Sequence, residues 1–147
     1  MDLIAFLKNE DVDFKNRTLS DIWAYDDNQI EANHDYIQLL FPLNKPSRHS
    51  FHNVYLSDDT QIAEIRSSKI IRANIRISAH WFLMFLKRVQ HWRVGYNHNQ
   101  LRITRIIECL RLLVSDSDAD KFYQEVLSIL GPEIKINEHT FKFWREA

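Results

Sequence analysis

Apolar residues recur every three or four positions along most of the chain, which is the spacing of one face of an α-helix. The pattern is strongest in residues 69–92, where apolar residues share one broad face and basic residues line the other. The apolar face holds Ile70, Ile75, Ile77, Trp81, Phe82, Phe85, Leu86, Val89 and Trp92. This segment predicts a long amphipathic helix that ends at Gly95.

The same spacing predicts further helices towards the carboxyl end. In residues 97–114 the core-facing positions are Ile103, Ile106, Ile107, Leu110, Leu113 and Val114. Ser117 and Asp120 have capping-box spacing for a third helix, which Gly131 and Pro132 end. Residues 140–145 predict a short segment that docks back through Phe141 and Trp144.

The pattern in the amino-terminal half predicts several shorter helices. Residues 2–9 are apolar-periodic, and Thr18 with Asp21 forms a capping-box pattern. Residues 26–38 predict more helix, in which Asn33 or a neighbour caps residues 34–41 before Pro42. After a main loop at residues 42–56, Asp58 and its neighbours predict a helix from Thr60, with a break near residues 67–68.

Composition narrows the fold class. The chain has 147 residues, the size of one domain, and we expect a single domain over residues 1–147. It contains only Gly95 and Gly131, against an average glycine usage of about 7%. This excludes glycine-rich phosphate loops, and with three prolines it disfavours a many-stranded sheet protein. We therefore predict an all-α, compact helical bundle of about six to eight helices.

Recognisable catalytic and metal-binding patterns are missing. Cys109 is the only cysteine, so no disulfide or cysteine-rich zinc site can form within the chain, and we expect it in the core. His49 and His52 are spaced as HxxH but have no carboxylate or cysteine beside them. Paired acids such as Asp26–Asp27 and Asp58–Asp59 lie where helix starts need them. We predict no enzyme activity, no metal and no cofactor. An enzyme whose site is assembled from distant residues is the last alternative.

The ends and apolar runs of the chain bear on its location. The amino terminus has no basic stretch of a signal peptide, and the longest apolar run, residues 81–86, is too short to cross a bilayer. We therefore expect a cytoplasmic protein.

Charge is unevenly distributed along the chain. Residues 1–65 carry 12 acidic and 5 basic side chains, residues 66–114 carry 1 and 10, and residues 115–147 carry 7 and 4. The basic block includes a stripe on the predicted long helix: Lys69, Arg72, Arg76, His80, Lys87 and His91. The stripe is either the solvated face of an amphipathic helix or a surface for an anion or a nucleic acid. The chain's pI of 6.6 favours the first interpretation.

Two passages resemble a known family. Residues 34–43, HDYIQLLFPL, with Pro46 and Ser47 following and RTLSDI at residues 17–22 before them, closely resemble the signature of the opioid growth factor receptor conserved domain. Residues 97–107, NHNQLRITRII, resemble that family's second signature helix. The resemblance spans roughly residues 14–130.

The resemblance implies a helical, non-enzymatic domain that binds a peptide or protein. In animals the family includes a receptor for an enkephalin, associated with nuclear and perinuclear sites and with longer chains. This chain is similar to compact, bacterial-type single-domain members, for which the resemblance implies no particular ligand. The candidate ligand contacts are His34, Asp35, Tyr36, Gln38, His98, Asn99, Arg102 and Arg105.

The chain departs from the family pattern at three places. Leu39 replaces a usual tryptophan and Gln100 replaces a common histidine, which alters either a ligand contact or the core. The family's insertion before the second signature is reduced here to residues 85–96, which we expect to be short and largely helical.

The signature polar groups also have structural interpretations. Asp35 could satisfy helix amides, and Gln38 and His34 could bind the adjoining loop. Arg102 or Arg105 must find a carboxylate, and Asp35 is a natural partner.

Overall fold

The structure, a computed structural model, describes residues 1–47, 54–132 and 135–147, and in these residues every regular element is an α-helix. The described residues form nine helices, so the all-α class is confirmed: α1 Leu3–Leu7, α2 Leu19–Trp23, α3 Asp27–Ala32, α4 Ile37–Leu40, α5 Asp59–Ser67, α6 Lys69–Arg88, α7 His98–Leu113, α8 Asp116–Leu130 and α9 Glu138–Glu146. None of these helices is long and apolar enough to span a membrane.

The chain divides into two compact units, which are described separately. The first is Met1–Ser78 and the second is Ala79–Ala147. One domain over residues 1–147 stays a prediction.

Side-chain caps set where the helices of the first unit begin. Thr18 Oγ1 accepts from the amide of Asp21, and the Asp21 carboxylate accepts from the Thr18 amide, which confirms the predicted capping box. Asp58 caps α5 through the amide of Thr60. The predicted break near residues 67–68 is also confirmed, because Ser68 ends α5 and its Oγ accepts from Ile71 at the start of α6.

The core of the first unit is built from α1, α2, α4 and the first half of α6. Asn74 of α6 donates to the Leu7 carbonyl at 2.9 Å, and Trp23 Nε1 donates to Ser78 Oγ at 2.9 Å. The core contains fully buried side chains from each of these elements, among them Phe6, Ile22, Leu40, Phe41, Ile71 and Ile75.

The prediction of helix through residues 26–38 is wrong in its middle. Asn33 ends α3 with an extended backbone, and its Nδ2 donates to the Gln29 carbonyl at 2.9 Å. Tyr36 Oη donates to the Ile30 carbonyl at 2.7 Å. Because these side chains supply donors to carbonyls of α3, the helix stops and α4 starts separately, without a side-chain cap.

In the second unit α6 ends at Arg88, well before Gly95. The Trp92 indole folds back and donates to the carbonyls of Leu86 at 3.0 Å and Val89 at 3.2 Å. These bonds satisfy carbonyls at the helix end. The predictions of helix through residue 92, and of a largely helical segment at residues 85–96, are therefore wrong after Arg88.

The faces of α6 also differ from the prediction at two positions. Ile70 and Ile77 are about half exposed, whereas Ile71, Ile75, Phe82 and other α6 residues are buried. Ile70 and Ile77 lie seven residues apart and so share one side of the helix, away from the buried face.

Helices α7, α8 and α9 pack together in the second unit. Asn97 caps the start of α7, which agrees with the helix predicted over residues 97–114. Gly131, with φ of 66°, ends α8 as predicted. The cap of α8 is Ser115, which accepts from the Asp118 amide, and not Ser117. Trp144 of α9 is buried and donates to the Gln100 carbonyl of α7, which confirms that the tail docks back.

We expect Thr18→Ala to lower the free energy of unfolding by about 1 kcal/mol, because the amide of Asp21 loses its acceptor. Urea unfolding followed by circular dichroism measures the change. Thr60→Ala is the matched control, because Thr60 is exposed in the first turn of α5 and uses its amide in the cap. Equal effects of the two substitutions would contradict the stabilising role of the capping box.

Candidate functional site

The first signature divides into a surface part and a buried part. His34 is exposed and Asp35 is half-buried, whereas Tyr36 and Gln38 are buried. Tyr36 is held by its hydrogen bond to Ile30 and by an edge-to-face contact with Tyr25, 5.9 Å between ring centroids. Leu39, which replaces the family's tryptophan, is 1% exposed and is a core residue.

Asp35 belongs to a charged cluster, which we define as Asp13, Lys15, Arg17, Tyr25 and Asp35. Arg17 donates through Nη1 to Asp35 at 2.9 Å and to Tyr25 Oη at 3.1 Å, and through Nε to Asp13 at 2.7 Å. Lys15 also forms an ion pair with Asp35. Asp35 therefore joins its signature to the loop before α2 and does not cap α4.

Asp13 organises that loop from inside. Its side chain is fully buried, and its Oδ1 accepts from the amides of Lys15 at 2.8 Å and Arg17 at 3.0 Å. Asn16 takes a positive φ of 58° between these two residues, which asparagine tolerates better than most residues. The loop thus holds Lys15 and Arg17 in the positions that meet Asp35.

The cluster favours the charged forms of Asp35 and Arg17. Burial by itself would raise the pKa of Asp35, but hydrogen bonds and charges from Lys15 and Arg17 hold that pKa below its ordinary value. Burial would likewise lower the pKa of Arg17, but its hydrogen bonds to Asp13, Asp35 and Tyr25 raise it. Arg17 and Asp35 are therefore both ionised near neutral pH.

The second signature is used mostly inside the second unit. Asn99 and Arg102 are buried, His98 and Arg105 are half-buried, and Arg102 Nη1 donates to Asn99 Oδ1 at 3.1 Å. The pairing of Arg102 or Arg105 with Asp35 stays a prediction.

Gln100 joins three parts of the second unit. Its Nε2 donates to the carbonyls of Trp92 at 3.0 Å and Val94 at 2.9 Å, and its Oε1 accepts from Thr140 Oγ1 at 3.2 Å. The side chain is 1% exposed, so each polar atom is used within the fold. The family's histidine position is therefore a structural position in this chain.

Cys109 lies in the core, as the sequence predicts. Burial raises the pKa of the Cys109 thiol, which keeps it protonated, and burial also lowers the pKa of the neighbouring Arg105. A buried neutral thiol is a poor nucleophile.

The predicted basic stripe holds in part. Lys69, Arg76, His80 and Lys87 are exposed on α6, and Arg72 is half-buried. His91 lies beyond the end of the helix, where its ring contacts Phe85 edge-on and its Nε2 is 3.5 Å from Asn99 Nδ2, so its placement on that helix face is wrong.

Sequence reasoning missed four members of the charged cluster: Asp13, Lys15, Arg17 and Tyr25. The RTLSDI passage contained Arg17, but nothing in the spacing identified its partners eight and 18 residues away. Within the described residues, no group of three histidine, cysteine, aspartate or glutamate side chains is arranged to hold a metal. His49 and His52 lie outside the described residues.

The predicted ligand contacts fall into two sets. His34, Asp35, Tyr36 and Gln38 belong to the first unit, and His98, Asn99, Arg102 and Arg105 belong to the second. Ligand binding by each of these residues stays a prediction.

Comparison with known proteins gives one family. The model of the opioid growth factor receptor (OGFr) conserved region matches residues 6–90, more than half of the chain. This range includes the charged cluster and the first signature, and it ends before the second signature. No curated protein and no solved structure matches.

We expect Asp35→Asn to lower the free energy of unfolding by about 1 to 2 kcal/mol at pH 7, because it removes two ion pairs. The pKa of Asp35 is lowered by folding, so its contribution is full above the unfolded pKa of about 3.9 and is lost as the pH falls through the folded value. Urea unfolding between pH 3 and 7 measures this difference, which should shrink below pH 4. Glu10→Gln, an exposed site in the same unit, is the control.

We expect Gln100→Leu to lower the free energy of unfolding by about 2 to 3 kcal/mol, because one buried and one part-buried carbonyl lose their donor while side-chain volume is nearly kept. Gln124→Leu, on the exposed face of α8, should change it by no more than about 0.5 kcal/mol. Denaturant unfolding of both variants measures the contrast. A loss for Gln100→Leu as small as that of its control would contradict the structural role.

Proposed function

The chain belongs to the family of the opioid growth factor receptor conserved region, and we propose that it is a non-enzymatic domain that binds a peptide or protein ligand. We propose that the protein is located in the cytoplasm, as predicted from the sequence.

The observation that carries the proposal is how the first signature divides its polar groups. Tyr36 is buried and donates to the Ile30 carbonyl. His34 is exposed and adjoins Asp35 in the sequence, and Asp35 forms an ion pair with the exposed Lys15. The His34 imidazole of the first signature and the Lys15–Asp35 ion pair are thus accessible in a region that matches the family model. Charged and aromatic-nitrogen groups of this kind can orient a short peptide through its termini and polar side chains.

The structural roles of the obvious reactive groups support a binding function over catalysis. Cys109 is buried and protonated, while Asp26 and Asp58 accept hydrogen bonds at helix starts. These groups have structural uses that account for their positions.

A thermal-shift screen tests the proposal. The panel contains short peptides including an enkephalin, nucleotides, simple anions, and DNA and RNA at low salt. A ligand that binds only the native state raises the melting temperature, by an amount equivalent to about 2.7 kcal/mol at 100 times its dissociation constant. We expect a reproducible shift with at least one peptide.

Variants then locate the binding surface. His34→Ala should weaken binding of the peptide by about tenfold, because it removes an exposed contact. His139→Ala, an exposed histidine of α9 in the second unit, should leave the affinity unchanged. Fluorescence anisotropy with the labelled peptide measures both, and equal affinities for the two variants would contradict a site at His34.

Anion or nucleic-acid binding is the second candidate function. The observation that favours it is the exposure of Lys69, Arg76, His80 and Lys87 on one helix. Lys69→Gln combined with Arg76→Gln should then weaken DNA or RNA binding and reduce its salt dependence. Absence of nucleic-acid binding at low salt would eliminate this candidate.

A further inference from the structure

The second unit has an open surface cavity of about 350 Å³ that is lined by Lys87, Arg93, Glu125, Ser128 and Ile129. Lys87 is on the last turn of α6, Arg93 is in the segment that follows, and the other three are on α8. The volume is at the lower end of the range for small-molecule sites.

The charged side chains around this cavity lack polar partners in the described residues. In the part of the chain that the structure describes, Lys87, Arg93 and Glu125 make no hydrogen bond or ion pair through their side chains, and Arg93 Nε is buried without an acceptor. Arg17 and Arg111, by contrast, each bind two carboxylates. Buried polar groups in proteins generally have partners, so the buried Arg93 Nε points to a missing ligand. Lys87 is exposed and Glu125 is half-buried, so both are accessible to that ligand.

The backbone around Arg93 is held firmly in place. Gln100 Nε2 binds the carbonyls of Trp92 and Val94, the residues on either side of Arg93. Trp92 is tied to the end of α6, and the Arg93 guanidinium lies 5.7 Å from the centre of the Trp92 ring. A guanidinium fixed in this way loses little conformational freedom when it binds an anion.

The lining specifies the charge of the ligand. Lys87 and Arg93 fit a carboxylate, because ammonium and guanidinium groups form charge-assisted hydrogen bonds to it. Glu125 fits a positively charged amino group and would repel a ligand that is only anionic. Ile129 supplies an apolar wall.

From these features we propose that the cavity binds a free α-amino acid with an aliphatic side chain. Arg93 and Lys87 hold its carboxylate, Glu125 holds its ammonium group, and its side chain packs on Ile129. The proposal is independent of the peptide site at His34, which belongs to the first unit.

Isothermal titration of the full chain tests the proposal with four probes: L-leucine, N-acetyl-L-leucine, L-leucinamide and inorganic phosphate. N-acetylation removes the ammonium charge and the amide removes the carboxylate. We expect L-leucine to bind at millimolar concentrations or below, and each of the other three to bind at least about tenfold more weakly.

Two variants test the roles of Glu125 and Arg93, and Glu125→Gln should change the binding of two probes in opposite directions. Glu125→Gln should weaken the binding of L-leucine by about tenfold, because the ligand's ammonium group loses its counter-charge. The same variant should strengthen the binding of N-acetyl-L-leucine, because the repulsion between two carboxylates is removed. Arg93→Gln should weaken both. Lys121→Gln, an exposed α8 residue outside the cavity lining, should change neither.

Three results would overturn the proposal. These are no heat signal with L-leucine at millimolar concentrations, phosphate binding as tightly as L-leucine, or a Glu125→Gln variant that changes both leucine probes in the same direction. Melting temperatures of the variants within a few degrees of the parent show that they are folded, so loss of binding then reports on the cavity.

Discussion

Backbone groups at helix ends need hydrogen-bond partners, and this chain has many helix ends because most of its helices are short. Side chains supply those partners. Thr18, Asp26 and Asp58 accept from amides at helix starts, and the Trp92 indole donates to carbonyls at the end of α6. The connection that follows is then held by Gln100, and by the Asn137 amide, which donates to the Gly95 carbonyl. The segment between α6 and α7 is thus irregular, but its carbonyls at Trp92, Val94 and Gly95 are hydrogen-bonded.

This constraint explains why much of the family signature is architectural in this chain. Tyr36 satisfies a carbonyl of α3, and Gln100 satisfies two carbonyls between α6 and α7. Replacement of such groups would leave buried acceptors without donors, which costs more than the loss of an average hydrogen bond. Among the signature groups, His34 is exposed, and it is the group that we propose contacts the ligand.

The arginines of the chain illustrate two uses of the same group. Arg17 is surrounded by carboxylates and a tyrosine hydroxyl, so its charge links a loop to the first signature. The Arg93 guanidinium lies over the Trp92 ring, and Arg93 lines a cavity together with Lys87 and Glu125. An arginine that is already paired stabilises the fold, whereas one held without an acceptor is prepared to bind an anionic group.

The sequence by itself determined the helical class, the capping box at Thr18, the bounds of α7 and the end of α8, because these depend on interactions within about four residues along the chain. It also led to the family through the first signature. Only the tertiary structure decided that α6 stops at Arg88, that Arg17 is the partner of Asp35, and that Ile70 and Ile77 face outwards. These features depend on side chains that meet after the chain folds back, and helical periodicity contains no information about which distant segments come into contact.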